Sequence, residues 1–211
     1  MTTVNISRVS SVAVVACAAS VVMALAACGS DTDTSSTSTP SVSDVFSPPS
    51  IVETATEASA CPTAAPENGG TPEWTLPGST GSVAVTGSTD TTAPQVNVDA
   101  PFSVTETQVH TLQAGDGPVV ADTATVSVCY MGVNGRDGAV FDSSYERGAP
   151  VEFSLDGVVP GFQKAIAGQK VGSTVAVAMA SADGYPDGQP AAGIQKGDSL
   201  VFAIKILDAT G

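Results

Sequence analysis

Asp142 stands in the stretch GAVFDSSYERG, Gly138 to Gly148, directly behind the apolar pair Val140 and Phe141. Little else in the sequence offers catalytic equipment. The one histidine, His110, lies in a polar, strand-like stretch and alone supports neither a catalytic triad nor a metal site. There is no G-x-S-x-G elbow, no phosphate-cradling loop and no dinucleotide fingerprint. The Asp and Glu residues do not follow the spacing of a calcium loop, and nothing points to paired-carboxylate hydrolysis. Cys61 and Cys129 are too far apart in sequence, and too far from any histidine, to suggest zinc. Any reaction carried by these residues must need no nucleophile, metal or cofactor.

Rotation about an Xaa-Pro peptide bond meets that description. It breaks no covalent bond, yet it faces a barrier of about 18–20 kcal/mol and takes tens to hundreds of seconds. Amide resonance sets the barrier, and resonance is weaker in the twisted state and in an apolar medium. An aromatic pocket that excludes water and grips the proline ring, with one or two placed polar groups, can lower it. Three tyrosines and six phenylalanines suffice to line such a pocket.

The elements that would position these residues lie in the last hundred positions. ATVSVCYMGV alternates, with Val126, Val128 and Tyr130 on one face and Thr125, Ser127, Cys129 and Met131 on the other. SLVFAIKIL places Leu200, Phe202, Ile204 and Ile206 together, and STVAVAMAS places Val175, Val177 and Met179 together. In VVPGFQKAIAGQKVG, Pro160 suits a first helical turn, Phe162 and Ile166 share a side, and Gly168 can end the helix. The pattern predicts an α+β layout in which one short helix covers a face of an antiparallel sheet.

The preceding half reads differently. Residues 1–27 are expected to be a signal peptide, with Arg8 ahead of an uncharged, small-residue-rich core. Leu25-Ala26-Ala27-Cys28-Gly29 resembles the bacterial lipobox, which would make Cys28 the lipid-attachment residue; the alternative is an ordinary secretory signal cut nearby. Residues 28–60, rich in Ser, Thr, Asp, Pro and Ala, are expected to form a disordered tether. Residues 61–104 are expected to be an extension with short strands at Val83–Val85 and Val96–Val98, packed on the main domain, with Trp74 as an anchor. Twenty-one acidic against seven basic residues give a net charge of −14, which argues against nucleic acid and against docking on anionic lipid through basic residues.

From about Thr105 to Ala209 the sequence resembles the FKBP family, the macrolide-binding peptidyl-prolyl cis/trans isomerases. The resemblance rests on GDGPVV, Tyr130 in VCYMG, FDSS at Phe141 to Ser144, VEFSL around Phe153, VVPGF, GYP around Tyr185 and GIQKGDSLVFAIKIL, in that order. It implies a sheet of about five strands wrapped around one short helix, in a domain spanning 105–211. It implies that Tyr130, Asp142 and Tyr185 carry the reaction. Phe141, Phe153, Val158, Val159, Phe162, Ile194 and Phe202 would bind substrate, with Phe162 the floor and Tyr185 and Ile194 on a loop that closes over it. Asp142 would stabilise and position the twisting amide electrostatically, without proton transfer; the alternative is a turn or cap residue. Two departures stand out. Phe162 replaces the family's usual tryptophan, which costs about 1–2 kcal/mol of burial on binding, and the loop YPDGQPAAG lacks a second glycine after Tyr185.

The resemblance also places Cys129 on the sheet face opposite Tyr130, where Cys61 could reach it and pair, the alternative being two free thiols. The implied protein is a monomer, anchored by lipid on the outer face of the cytoplasmic membrane or secreted, that needs no cofactor. Its partners would be proline-containing peptides, unfolded exported proteins and macrolide inhibitors. Two other readings stay open: a low-turnover proline-peptide binder or chaperone module, and a lipoprotein whose task lies in 61–104.

Overall fold

The computed structural model describes residues 60–66 and 71–211. The signal peptide, Cys28 and all but the last residue of the expected tether lie outside the described residues. Among the described residues, nine strands and two α-helices follow in chain order: β1 Trp74–Pro77, β2 Thr80–Thr86, β3 Gln95–Ser103, β4 Gln108–Gln113, β5 Thr125–Asn134, β6 Val140–Ser143, α1 Ser144–Arg147, β7 Val151–Ser154, α2 Pro160–Ile166, β8 Thr174–Met179 and β9 Leu200–Thr210.

Strands β4 to β9 form an antiparallel sheet in the order β4-β8-β9-β5-β6, with β7 also paired to β5. This main sheet has six strands where about five are expected. The difference arises on one edge of β5, which is long enough to hold two short partners: β6 opposite Met131–Val133 and β7 opposite Thr125–Val128. β1, β2 and β3 make a second, three-stranded sheet.

Alternation along β8 and β9 explains how three layers assemble. Val175, Val177, Met179, Leu200, Phe202, Ile204 and Ile206 point toward α2 and pack on Phe162, Ala165 and Ile166. The intervening Ala176, Ala178, Val201 and Ala203 point the other way, onto Val83, Val85 and Phe102 of the second sheet. Every residue of β8 is buried, so both faces of this strand are core. The small side chains on the second face let the sheets approach, and burying each Val or Phe from β2 and β3 contributes about 1.5–3 kcal/mol. Backbone bonds join the layers too: Phe102 N–H donates to the Gly135 carbonyl at 2.7 Å, and Gly135 N–H to the Ser199 carbonyl at 2.8 Å. Trp74 stacks on His110 of β4, with ring centroids 5.6 Å apart and planes within 5°.

Helix α2 begins with Pro160 in its first turn, where the missing N–H costs nothing, and stops at Ile166. Gly168, at φ +77°, then turns the chain back toward β8 in a conformation that side chains with a Cβ rarely adopt. Phe162, in the first turn of α2, meets Tyr130 of β5, Phe153 of β7 and Phe202 of β9, and the cavity forms there.

Candidate active site

Four strands and two loops bring the cavity walls together. Tyr130 stands on the helix-facing side of β5, and Gly132, next on that face, pairs with Phe202 of β9 and with Asp142 of β6. The register between β5 and β6 then slips, so that Val133 pairs with Val140 and Phe141 is left without an opposite residue. In a regular strand Phe141 and Asp142 would point to opposite faces. The bulge re-aims one of them, and both line the cavity. β7 supplies Phe153, the turn after it supplies Gly157, Val158 and Val159, α2 supplies Phe162, and the loop after β8 supplies Tyr185.

The cavity is an open cleft of about 410 Å³. Its rings meet edge to face: Phe162 lies 5.2 Å from Phe202, 5.3 Å from Phe153 and 5.9 Å from Tyr130, and Phe141 lies 5.6 Å from Phe202. Such contacts contribute about 0.5–1.5 kcal/mol each beyond burial. Phe162, 6% exposed, touches three of the other rings and forms the base. Gly132 is needed for space: a Cβ there would lie 2.7 Å from Phe141 Cζ and 2.7 Å from Phe202 Cε1.

One corner of this box is polar. The Tyr130 hydroxyl donates to Asp142 Oδ2. Arg147, at the end of α1, donates from Nη1 to Asp142 Oδ1 at 2.6 Å and from Nη2 to the Tyr130 hydroxyl at 3.4 Å, closing a ring of three side chains. Burial pushes the Asp142 carboxyl up, but hydrogen bonds from Tyr130 and Arg147 and the guanidinium charge outweigh it and hold it below its ordinary value. Burial, and then the bond to Asp142, raise the Tyr130 phenol above 10. The carboxylate thus stays ionised and the phenol stays protonated on either side of neutrality. Neither is poised to shuttle a proton at pH 7; together they present a fixed charge and dipole to an apolar cavity.

The cavity brings together Tyr130, Asp142, Tyr185, Phe141, Phe153, Val158, Val159, Phe162 and Phe202. Ile194 is not among the residues lining this cavity; it is 2% exposed and packs in the core cluster that contains Phe162 and Phe202, and its backbone carbonyl accepts from the Gln189 N–H. Cys61 and Cys129 form a disulfide with Cα atoms 5.7 Å apart. Sequence reasoning missed Arg147 and Gly157. Arg147 is five positions beyond Asp142, but strand turns to helix between them, so no regular spacing signals their contact.

The model of the family described as FKBP-type peptidyl-prolyl cis-trans isomerase matches residues 117–207. Among curated proteins, the chain is similar to a probable FKBP-type peptidyl-prolyl cis-trans isomerase of Haemophilus influenzae, 39% identical over 95 residues, covering 45% of this chain and 39% of the relative. It is similar to FkpA of Escherichia coli K12, 38% identical over 98 residues, covering 46% and 35%. It is also similar to an FK506-binding protein of Streptomyces anulatus, 31% identical over 117 residues, covering 54% of this chain and 94% of the relative. The chain thus spans less than half the length of the first two relatives and nearly all of the third.

Proposed function

Because the chain belongs to the FKBP-type peptidyl-prolyl cis-trans isomerase family, we propose that it catalyses cis/trans isomerisation of Xaa-Pro bonds in unfolded exported proteins. The observation that carries this reading is the aromatic cavity with a single polar corner, Tyr130–Asp142–Arg147. The proline ring enters over Phe162, between Phe153 and Phe202, and its amide leaves water. Desolvation weakens the resonance that opposes twisting, and the ionised Asp142, held by Tyr130 and Arg147, faces the charge redistribution as the amide rotates. Val158, Val159 and Tyr185 flank the residue before proline, so an apolar residue is preferred there. No covalent intermediate, metal or cofactor takes part. Macrolides that fill the same cavity would compete with peptide.

The lipobox at Cys28 supports a tether to the outer face of the cytoplasmic membrane, with residues 29–60 as spacer. A second reading, a binder with little turnover, is favoured by Phe162: its smaller ring leaves the floor without an indole N–H. Exchange NMR on a Leu-Pro peptide with the full chain, and with Asp142→Ala and Tyr130→Phe, decides between them. Accelerated exchange that falls in Asp142→Ala supports the isomerase; peptide binding without faster exchange supports the binder.

A further inference from the structure

The two strands that share one edge of β5 leave a gap. β7 pairs with β5 as far as Val128 and β6 pairs with it only from Met131, so Cys129 and Tyr130 have no strand partner on that side. Ser144, the first residue of α1, fills it. Its Oγ accepts the Tyr130 N–H at 2.8 Å. Its single proton has two acceptors in reach, the Tyr130 carbonyl at 3.4 Å and Cys61 Sγ at 3.5 Å. Ser144 is fully buried, so water cannot replace a bond lost here.

Helix α1 has four residues, too few to hold its own shape. Ser143 Oγ, which accepts the Glu146 N–H, and the left-handed Gly148 cap its ends, and the segment that begins at Cys61 packs on it. The disulfide ties that segment to β5, Ala93 N–H donates to the Ala64 carbonyl at 2.8 Å, and Cys61, Ala93, Cys129 and Tyr145 form one buried cluster. Both supports of the polar corner therefore start on α1: Ser144 fixes the Tyr130 backbone, and Arg147 fixes its hydroxyl and Asp142.

We propose that Ser144 is a positioning residue for Tyr130, held in place by the Cys61–Cys129 disulfide, so that reducing this bond with a dithiol weakens catalysis without emptying the aromatic cavity. The proposal rests on the isomerase reading above. In the redox step one dithiol sulfur attacks a cystine sulfur, the S–S bond breaks and a mixed disulfide forms. The second dithiol sulfur then closes the reductant's own disulfide, leaving two protein thiols. A second cavity, of about 820 Å³ and lined by Pro62, Cys129 and Tyr145, borders the disulfide; both cysteines are buried, so the reductant reaches the sulfurs as the segment at Cys61 opens locally. With the bond broken, Cys61 is released from β5 and Ser144 loses the cover that presses it into the gap. The rings that grip proline sit on the other face of the sheet and keep their contacts.

The test uses the full chain in three forms: oxidised, reduced with dithiothreitol, and Ser144→Ala with the disulfide intact. Peptide isomerisation gives kcat and KM, and NMR of the free protein gives the Tyr130 ring resonances. Reduction and Ser144→Ala are each expected to lower kcat about tenfold, with KM changed less than about twofold, and to shift the Tyr130 ring. A merely structural role predicts a lower melting temperature with kcat and the Tyr130 resonances unchanged below it; that result overturns the proposal. If reduction unfolds the chain, Ser144→Ala decides alone. An oxidised wild type that accelerates nothing overturns the isomerase reading instead, and the Tyr130 resonances in Ser144→Ala still decide the positioning role.

Discussion

Replacing Asp142 with asparagine isolates the carboxylate's charge from its shape. Asp142→Asn keeps an oxygen for the Tyr130 hydroxyl and an outline that fits the bulge in β6, but removes the negative charge that faces the cavity. The cost to folding follows from exposure. The side chains of Asp142 and Arg147 are 40% and 49% exposed, so solvent screens their attraction and the pair stabilises the fold by at most about 1 kcal/mol. The Tyr130 hydroxyl exchanges a charged acceptor for a neutral one, a further difference of about 1 kcal/mol that the half-exposed corner reduces. The variant is therefore expected to fold, with a midpoint only slightly lowered. On the proposed mechanism, catalysis is expected to depend on the charge more steeply, because the cavity around it is apolar and its rings stay in place. Isomerisation is expected to slow about tenfold, or about 1.4 kcal/mol in the barrier, almost entirely in kcat. Exchange NMR on a Leu-Pro peptide at pH 7, with a titration for affinity, measures both quantities. Wild-type kcat in Asp142→Asn would refute the electrostatic role, and a raised KM with kcat unchanged would show that the carboxylate only binds.

The pH profile should be a plateau. Asp142 has its carboxyl held below the ordinary 3.8, so its contribution to stability is complete above that value and is lost as pH falls through the folded value. Tyr130 is shifted the other way, so its contribution is complete below 10.0 and is lost only as pH rises through the higher folded value. Isomerisation measured from about pH 5 to 9 is expected to be flat, and a bell centred near neutrality would contradict the fixed-charge mechanism. Gly132→Ala should push Phe141 and Phe202 into the cavity, at a cost of about 1–3 kcal/mol in stability, and raise KM for peptide; an unchanged KM would mean the rings yield outward. Phe102→Ala should lower stability by about 3–5 kcal/mol in denaturant titration with kcat unaltered, because this ring fills the space between the two sheets, away from the cavity.

How much of this could be read from the sequence depended on whether a local rule or a distant partner decided the outcome. Period-two alternation located β5, β8 and β9, because each buries one face on α2 and that face reads Val-Val-Tyr, Val-Val-Met and Leu-Phe-Ile-Ile. Pro160 and Gly168 bracketed α2 through backbone geometry alone. The opposite faces carried a fainter message. Ala176, Ala178, Val201 and Ala203 are apolar where a solvent-facing strand would be polar, and they mark the layer that β1–β3 cover. At the site, alternation would have misled: it assigns Phe141 and Asp142 to opposite faces, and only the slipped register opposite Gly132 turns both into the cavity. The family resemblance supplied that pair where periodicity could not. Arg147 and Ser144 escaped both kinds of reasoning. Their roles depend on a gap between two short strands and on a four-residue helix packed beneath a disulfide, relations that exist only once residues 68 positions apart have met. Ile194 is ambiguous for the converse reason. An apolar residue on a loop can face a cavity or the core, and here Ile194 joins the core cluster while Tyr185 lines the cavity.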